Sequence, residues 1–178
     1  MKLVAIDNGY WATKVYARGV RFSFRSKYEK ASDTLNNNIL RLTYEDNEYL
    51  VGDGASIANI EYDKTTNELH KICTYTALAR LSSICTEFNL VVGYPLSIYV
   101  NGANKFAEYL QGNDYIEVRL NGELRMFKIN KCTVFPQCAG AMYVNPDRFR
   151  DKIVGILDFG GLTVNGCIFE NLNLIRES

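Results

Sequence analysis

One pattern in this chain occurs twice and limits what it can fold into. An apolar run ends at an aspartate, a glycine follows two residues later, and β-forming residues lead the chain back. The first copy is Val4-Ala5-Ile6-Asp7-Asn8-Gly9, returning through Thr13 to Ala17. The second is Gly155-Ile156-Leu157-Asp158-Phe159-Gly160-Gly161, returning from Thr163 to Phe169. A tight glycine turn lets several backbone N–H groups converge on one small volume, which favours an anion. An aspartate at the strand end can hold a cation through its waters, the usual habit of magnesium beside phosphates. Two facing turns of this kind can clamp a polyphosphate, with a metal between Asp7 and Asp158 and Lys14 as a point charge. Either turn alone would more often be only a turn.

The rest of the chain supplies a frame for them. Leu3–Ile6, Thr13–Ala17 and Val20–Ser26 read as a three-strand meander. Residues 27–38 are polar and predict a surface loop. Ile39–Tyr44 and Glu48–Val51 flank a hairpin turn at Glu45-Asp46-Asn47. From Asn67, apolar residues at Leu69, Ile72, Cys73, Thr76 and Ala79 predict a helix. Leu78 and Leu81 lie off that stripe, so the helix is expected to be buried on more than one side. Phe88–Val92 is continuously apolar and predicts a strand covered on both faces. Ala103, Phe106, Ala107 and Leu110 mark a helix over 102–110. Tyr115–Leu120 and Leu124–Ile129 flank Asn121-Gly122, a strong hairpin signal. Lys131–Phe135 predicts a further strand, and residues 137–144 a short helix with Pro136 in its first turn.

Charge and cysteine content exclude several classes. The 178 residues carry 20 Lys+Arg and 20 Asp+Glu, so no bulk field draws nucleic acid or anionic lipid. No run reaches the roughly 18 apolar residues of a spanning helix, and the N-terminus does not read as a signal peptide. A cytoplasmic location is expected, with no membrane and no direct nucleic-acid contact. Cys73, Cys85, Cys132, Cys138 and Cys167 form no CxxC pair, and His70 is the single histidine. That set argues against a zinc cluster and for reduced, mostly buried thiols.

Several segments together resemble the ParM-like (StbA-like) plasmid-segregation proteins of the actin–Hsp70–sugar kinase superfamily. Ile6–Lys14, with Lys14 seven residues after Asp7, resembles the family's first phosphate motif. Tyr49-Leu50-Val51-Gly52-Asp53 resembles its Tyr-x-Val-Gly-acid strand. Val91–Tyr99 resembles its Gly-Leu-Pro strand end, and Val134–Ala141 its Phe-Pro-Glu-x-x-Gly-Ala connecting helix. Leu157–Asn165 resembles the second phosphate motif, Asp-x-Gly-Gly-x-Thr-x-Asp.

The resemblance implies an α/β fold. It would comprise an actin-like (ribonuclease H-like) lobe I over 1–150, with a mixed five-stranded sheet and flanking helices. A small insertion would occupy about 27–62, and 151–178 would begin a second lobe. It implies ATP or GTP with Mg²⁺ as cofactor. Asp7, Asn8, Gly9, Tyr10, Trp11 and Lys14 would form one phosphate loop. Asp158, Gly160, Gly161, Leu162 and Thr163 would form the other. Asp7 and Asp158 would position Mg²⁺ through water, and Gln137 would orient the attacking water. The implied function is a nucleotide-driven filament ATPase for plasmid or DNA segregation. Its partners would be copies of itself, as filament or dimer, and a DNA-bound adaptor protein.

Four departures from the family pattern shape the expectation. Gln137 replaces the usual glutamate; it can align a water but cannot take its proton, which predicts slower hydrolysis. Trp11 is bulky where backbone approaches phosphate, and either points into the lobe or blocks the site. Leu162 and Asn165 are mild changes in the second motif. The resemblance ends with the first hairpin of the second lobe, which predicts weak ATP affinity and little catalysis. It also predicts that the hairpin folds back on lobe I or that the chain self-associates. The alternative is a truncated or nucleotide-dead module that caps or co-assembles with a full-length filament protein.

Overall fold

The computed structural model describes residues 2–31, 39–56, 64–65, 67–84 and 86–175. The remainder of the expected loop at 27–38, residues 57–62 of the expected insertion, Cys85 and the last three residues lie outside them.

The opening meander forms as expected. β1 (Lys2–Asn8), β2 (Ala12–Ala17) and β3 (Val20–Arg25) pair antiparallel in sequence. The side chains of β1 alternate strictly: Val4, Ile6 and Asn8 are buried, whereas Leu3, Ala5 and Asp7 are exposed. β4 (Tyr28–Lys30) is a short strand inside the segment expected to be loop; it pairs with β6 (Asn47–Val51). β5 (Leu40–Tyr44) and β6 form the expected hairpin, with Glu45 and Asp46 at φ 47° and 60° in its turn.

α1 (Glu68–Leu81) is capped by Asn67, whose Oδ1 accepts from the Leu69 N–H at 3.0 Å. It is buried on nearly every side, from Leu69 to Ala79. It lies against β1, β6 and the two later strands β8 (Ile116–Leu120) and β9 (Glu123–Pro136), and touches α2 (Tyr99–Gln111). Polar side chains share that interior, among them His70, Thr74, Thr76 and, from the preceding loop, Lys64. α2 starts three residues before the expected helix and buries Ala103, Phe106 and Leu110.

β7 (Thr86–Tyr94) follows α1 and runs parallel to β1. Its burial alternates, with Phe88, Leu90, Val92 and Tyr94 inside and Asn89, Val91 and Gly93 half-covered. Only one face is fully covered, against the expectation of two. β9 follows α2 and runs parallel to β7. It joins the strand expected over 124–129 to the one expected over 131–135. The pairing skips Asn130 where Phe88 opposes Ile129 and Asn89 opposes Lys131, a bulge that keeps the ladder going. Glu87 Oε2 accepts from Asn130 Nδ2 at 2.9 Å, and Gln111 Nε2 donates to the Asn130 carbonyl at 3.0 Å, pinning the bulge.

The expected five strands are therefore β3-β2-β1-β7-β9, but the sheet does not end there. The first half of β9 turns back through Asn121-Gly122 onto β8, and β8 pairs with β5 at Leu42↔Leu120 and Thr43↔Arg119. The result is nine strands in the order β3-β2-β1-β7-β9-β8-β5-β6-β4.

After β9 the chain turns sharply. Pro136 closes the strand, and Gln137 and Cys138 lie in a turn rather than in the expected helix. The Gln137 N–H donates to the Tyr94 carbonyl at 2.8 Å, and Cys138 takes φ 77°, a left-handed conformation that no helix start accommodates. The helix α3 begins only at Gly140 and ends at Val144. β10 (Ile153–Phe159), β11 (Val164–Glu170) and β12 (Asn173–Ile175) form a separate antiparallel sheet. Its inner face carries Ile156, Cys167 and Phe169 against Ala139, Met142, Leu96 and Phe149. Its outer face leaves Ile153, Leu157, Phe159 and Val164 exposed.

Candidate functional site

The two Asp-x-Gly turns meet at one cavity of about 230 Å³. Asp7, Gly9, Tyr10, Trp11 and Lys14 line it from the first turn; Asp158, Gly160, Gly161, Leu162 and Thr163 line it from the second; Gln137 lines it from the turn between the sheets. Phe159, Ala12 and Asn165 complete the wall. Of the residues expected here, Asn8 alone faces elsewhere. Strand alternation decides this: Asp7 is on the exposed face of β1, so Asn8 must enter the core.

The two turns are built to one plan. Asp7 stands opposite Lys14 across β1–β2, and Asp158 stands opposite Asn165 across β10–β11. A Cβ on Gly9 would lie 3.0 Å from the Ala12 carbonyl oxygen, and one on Gly160 would lie 3.0 Å from the Thr163 carbonyl oxygen. Both glycines leave room for the chain to double back. In the second turn, the Gly160 N–H closes the loop on that Thr163 oxygen at 2.8 Å. The turns differ in charge. Lys14 Nζ lies 3.1 Å from Asp7 Oδ2, whereas Asp158 faces a neutral amide. The cavity therefore holds two carboxylates and one ammonium on its walls.

The first turn is anchored from beneath by groups that the sequence did not single out. Asn8 Nδ2 donates to Thr74 Oγ1 at 2.7 Å, and Thr74 Oγ1 donates to the His70 carbonyl at 2.7 Å. Lys64 Nζ donates to the Asn8 carbonyl at 2.7 Å and lies 5.5 Å from the centroid of the Tyr10 ring. Burial pushes the Lys64 ammonium down to about 8, with the Asp7 charge opposing. Burial, helped by the Lys64 charge, holds His70 well below its ordinary range, so it is neutral at pH 7. Its ring meets Tyr10 edge-on at 5.2 Å. From β3, Arg25 stacks on the Trp11 indole at 3.3 Å from its centroid. Ser26 N–H donates to the Trp11 carbonyl at 3.1 Å, and its hydroxyl lies 2.9 Å from that of Thr13. Hydroxyl residues on an otherwise apolar buried helix were the available signal for Thr74. Lys64 carried none, sitting in a polar stretch that reads as loop.

A larger apolar groove of about 670 Å³ runs between Leu96–Val100 and the β10–β11 strands. It is lined by no charged residue. Among the described residues, no helix is long and apolar enough to cross a membrane, and no group of three or more His, Cys, Asp or Glu residues is placed to hold a metal.

The family model for actin-like proteins, N-terminal domain, matches residues 5–140. The chain belongs to that family. Solved structures with the same fold include an archaeal actin homologue, Ta0583, at 21% identity and TM-score 0.81, covering 98% of this chain and 59% of that one. The apo pSK41 ParM protein matches at 14% identity and TM-score 0.80, covering 98% and 63%. The AlfA filament from a B. subtilis plasmid, pLS32, matches at 19% identity and TM-score 0.77, covering 99% and 69%. The actin-like chain thus spans about three fifths of the first of these relatives. No curated protein matches its sequence.

Proposed function

We propose that this actin-like chain is the phosphate-gripping part of a nucleotide-driven filament protein that segregates plasmid or other DNA. The observation that carries the reading is the convergence of both Asp-x-Gly turns, Lys14 and Gln137 on one cavity. The walls fit a terminal phosphate with Mg²⁺. Glycines keep side chains out of both turns, and two carboxylates suit a hydrated divalent cation. At about 230 Å³ the cavity is below the roughly 300 Å³ at which small-molecule pockets begin. It therefore suits phosphates rather than a whole nucleoside.

In this reading Asp7 and Asp158 would hold the waters of the cation, and the Lys14 ammonium beside Asp7 would offset phosphate charge. Backbone N–H groups at the two glycine turns offset the anion's charge. The Gln137 amide aligns a water but cannot accept its proton, so hydrolysis is slow. A bound Mg·ATP or Mg·GTP supplies the phosphoanhydride bond and the divalent charge. The AlfA filament has been solved with AMPPNP bound, and Ta0583 in complex with ADP. These relatives support nucleotide binding and self-association here; a DNA-bound adaptor is the further partner that a DNA-segregating filament would need.

A second reading, a module that joins a filament without using nucleotide, draws on Trp11, whose side chain lies between the two turns. High-speed sedimentation separates the readings. Mg·ATP is expected to raise the pelleted fraction of the chain. A fraction that nucleotide leaves unchanged contradicts the nucleotide-driven filament.

A further inference from the structure

Cys138 and Cys167 come from opposite sides of the junction between the two sheets, and their sulfurs lie 2.7 Å apart. Cys138 sits in the turn after β9, next to Gln137. Cys167 sits on the inner face of β11. The Cys138 thiol also points at the carbonyls of Ile156 at 3.3 Å and Asn165 at 3.8 Å. Its backbone is held at φ 77°, where an L-residue is strained unless its surroundings fix it. Gln137 N–H on the Tyr94 carbonyl fixes the residue before it, and Ala139, buried against Met142 and Phe169, fixes the residue after it. The turn therefore presents one sulfur to the other from a rigid frame, and a shift of under about 1 Å would bring them to bonding distance. Cys73 and Cys132 are free thiols elsewhere in the fold.

We propose that Cys138 and Cys167 form a reversible disulfide, a modification site that staples the Gln137 turn of the nine-stranded sheet to β11 of the second sheet. The oxidant class is a small disulfide such as oxidised glutathione. The Cys138 thiolate, the more exposed of the two, attacks one sulfur of the small disulfide. A mixed disulfide forms and one small thiolate leaves, taking up a proton from water. Cys167 then loses its proton to water and attacks the Cys138 sulfur, expelling the second small thiol. Two protein thiols are oxidised by two electrons and one small disulfide is reduced to two thiols. Burial, with Cys138 adding to it, pushes the Cys167 thiol up to about 12, so this second step is the slow one. The staple crosses beside the cavity without using any residue that lines it.

The test is to incubate the full chain with oxidised glutathione, unfold it in acid, and map its thiols by mass spectrometry. The expected product has lost about 2 Da, the two hydrogens of one disulfide, and gives a Cys138–Cys167 cross-linked peptide that dithiothreitol removes. Amide exchange at 137–142 and 165–169 should slow in the oxidised chain and recover on reduction. Cys138→Ser and, separately, Cys167→Ala should retain a glutathione adduct or stay reduced, with no cross-link at this junction. A wild-type chain that stops at the glutathione adduct overturns the proposal. So does one that cross-links through Cys73, Cys85 or Cys132 instead, or whose amide exchange ignores the bond.

Discussion

Gly161 lies against the indole of Trp11 so closely that no side chain fits between them. A Cβ on Gly161 would overlap the Trp11 Cβ and stand 2.6 Å from its Cγ. This contact joins the two Asp-x-Gly turns, one from each sheet. It also answers where Trp11 goes: the side chain lies between the turns, half-exposed, with Arg25 stacked on its ring.

Gly161→Ala should therefore force the turns apart. Overpacking of this kind costs about 1–3 kcal/mol. Urea unfolding should show that loss, and the Trp11 emission of the folded variant should shift. A variant with unchanged stability and emission would mean that the two turns do not touch.

Two threonines on α1 test the anchoring of the first turn. Thr74 receives the Asn8 amide, whereas Thr76 Oγ1 is buried with no hydrogen-bond partner among the described residues. Thr74→Val strands a buried amide N–H and should cost about 1–3 kcal/mol, while Thr76→Val should be close to neutral. Equal losses in chemical denaturation would sink the anchoring role of Thr74.

Gly102 is the fourth residue of α2, and inside a helix Ala in place of Gly normally adds up to about 1 kcal/mol of stability. Here a Cβ would meet the buried Tyr94 ring, with Cε1 at 2.6 Å. Tyr94 is enclosed and cannot yield, so overpacking of about 1–3 kcal/mol outweighs propensity. Gly102→Ala should lower the thermal midpoint; a rise would show that Tyr94 repacks freely.

Acid should weaken the fold through His70. Its folded pKa lies well below its unfolded value of about 6.5, so the unfolded chain binds more protons once pH falls below that point. Stability attributable to His70 is present above about pH 6.5 and is lost as pH drops. Lys64 works in the same direction at higher pH: its folded pKa of about 8 is below its unfolded value, so stability rises with pH from there toward about 10.4. Urea midpoints measured from about pH 5 to 7.5 should slope upward, and His70→Gln should flatten the slope. An identical slope in the variant would remove His70 from the account.

What the sequence revealed follows from how local each signal is. The meander, the Asn121-Gly122 hairpin and the α2 stripe were legible because turn chemistry and periodicity act over a few residues. The two aspartates and their glycines were legible because each turn carries its own signature. The nine-strand sheet was not, because β8 meets β5 through two residue pairs whose register no local pattern encodes. The late start of α3 was missed because Cys138 takes a left-handed turn that its residue type does not announce. Lys64 and Thr74 were missed because their role depends on long-range burial beneath Asn8.

In the function proposed, the paired turns hold a phosphate with its cation. Trp11, the single tryptophan, lies on the cavity wall and reports on it directly. The decisive measurement is titration of Mg·ATP into the chain while following Trp11 emission, with Asp158→Ala alongside. A saturable change that Asp158→Ala abolishes is the predicted result. A flat emission up to millimolar nucleotide, or a change that survives the loss of Asp158, would contradict it.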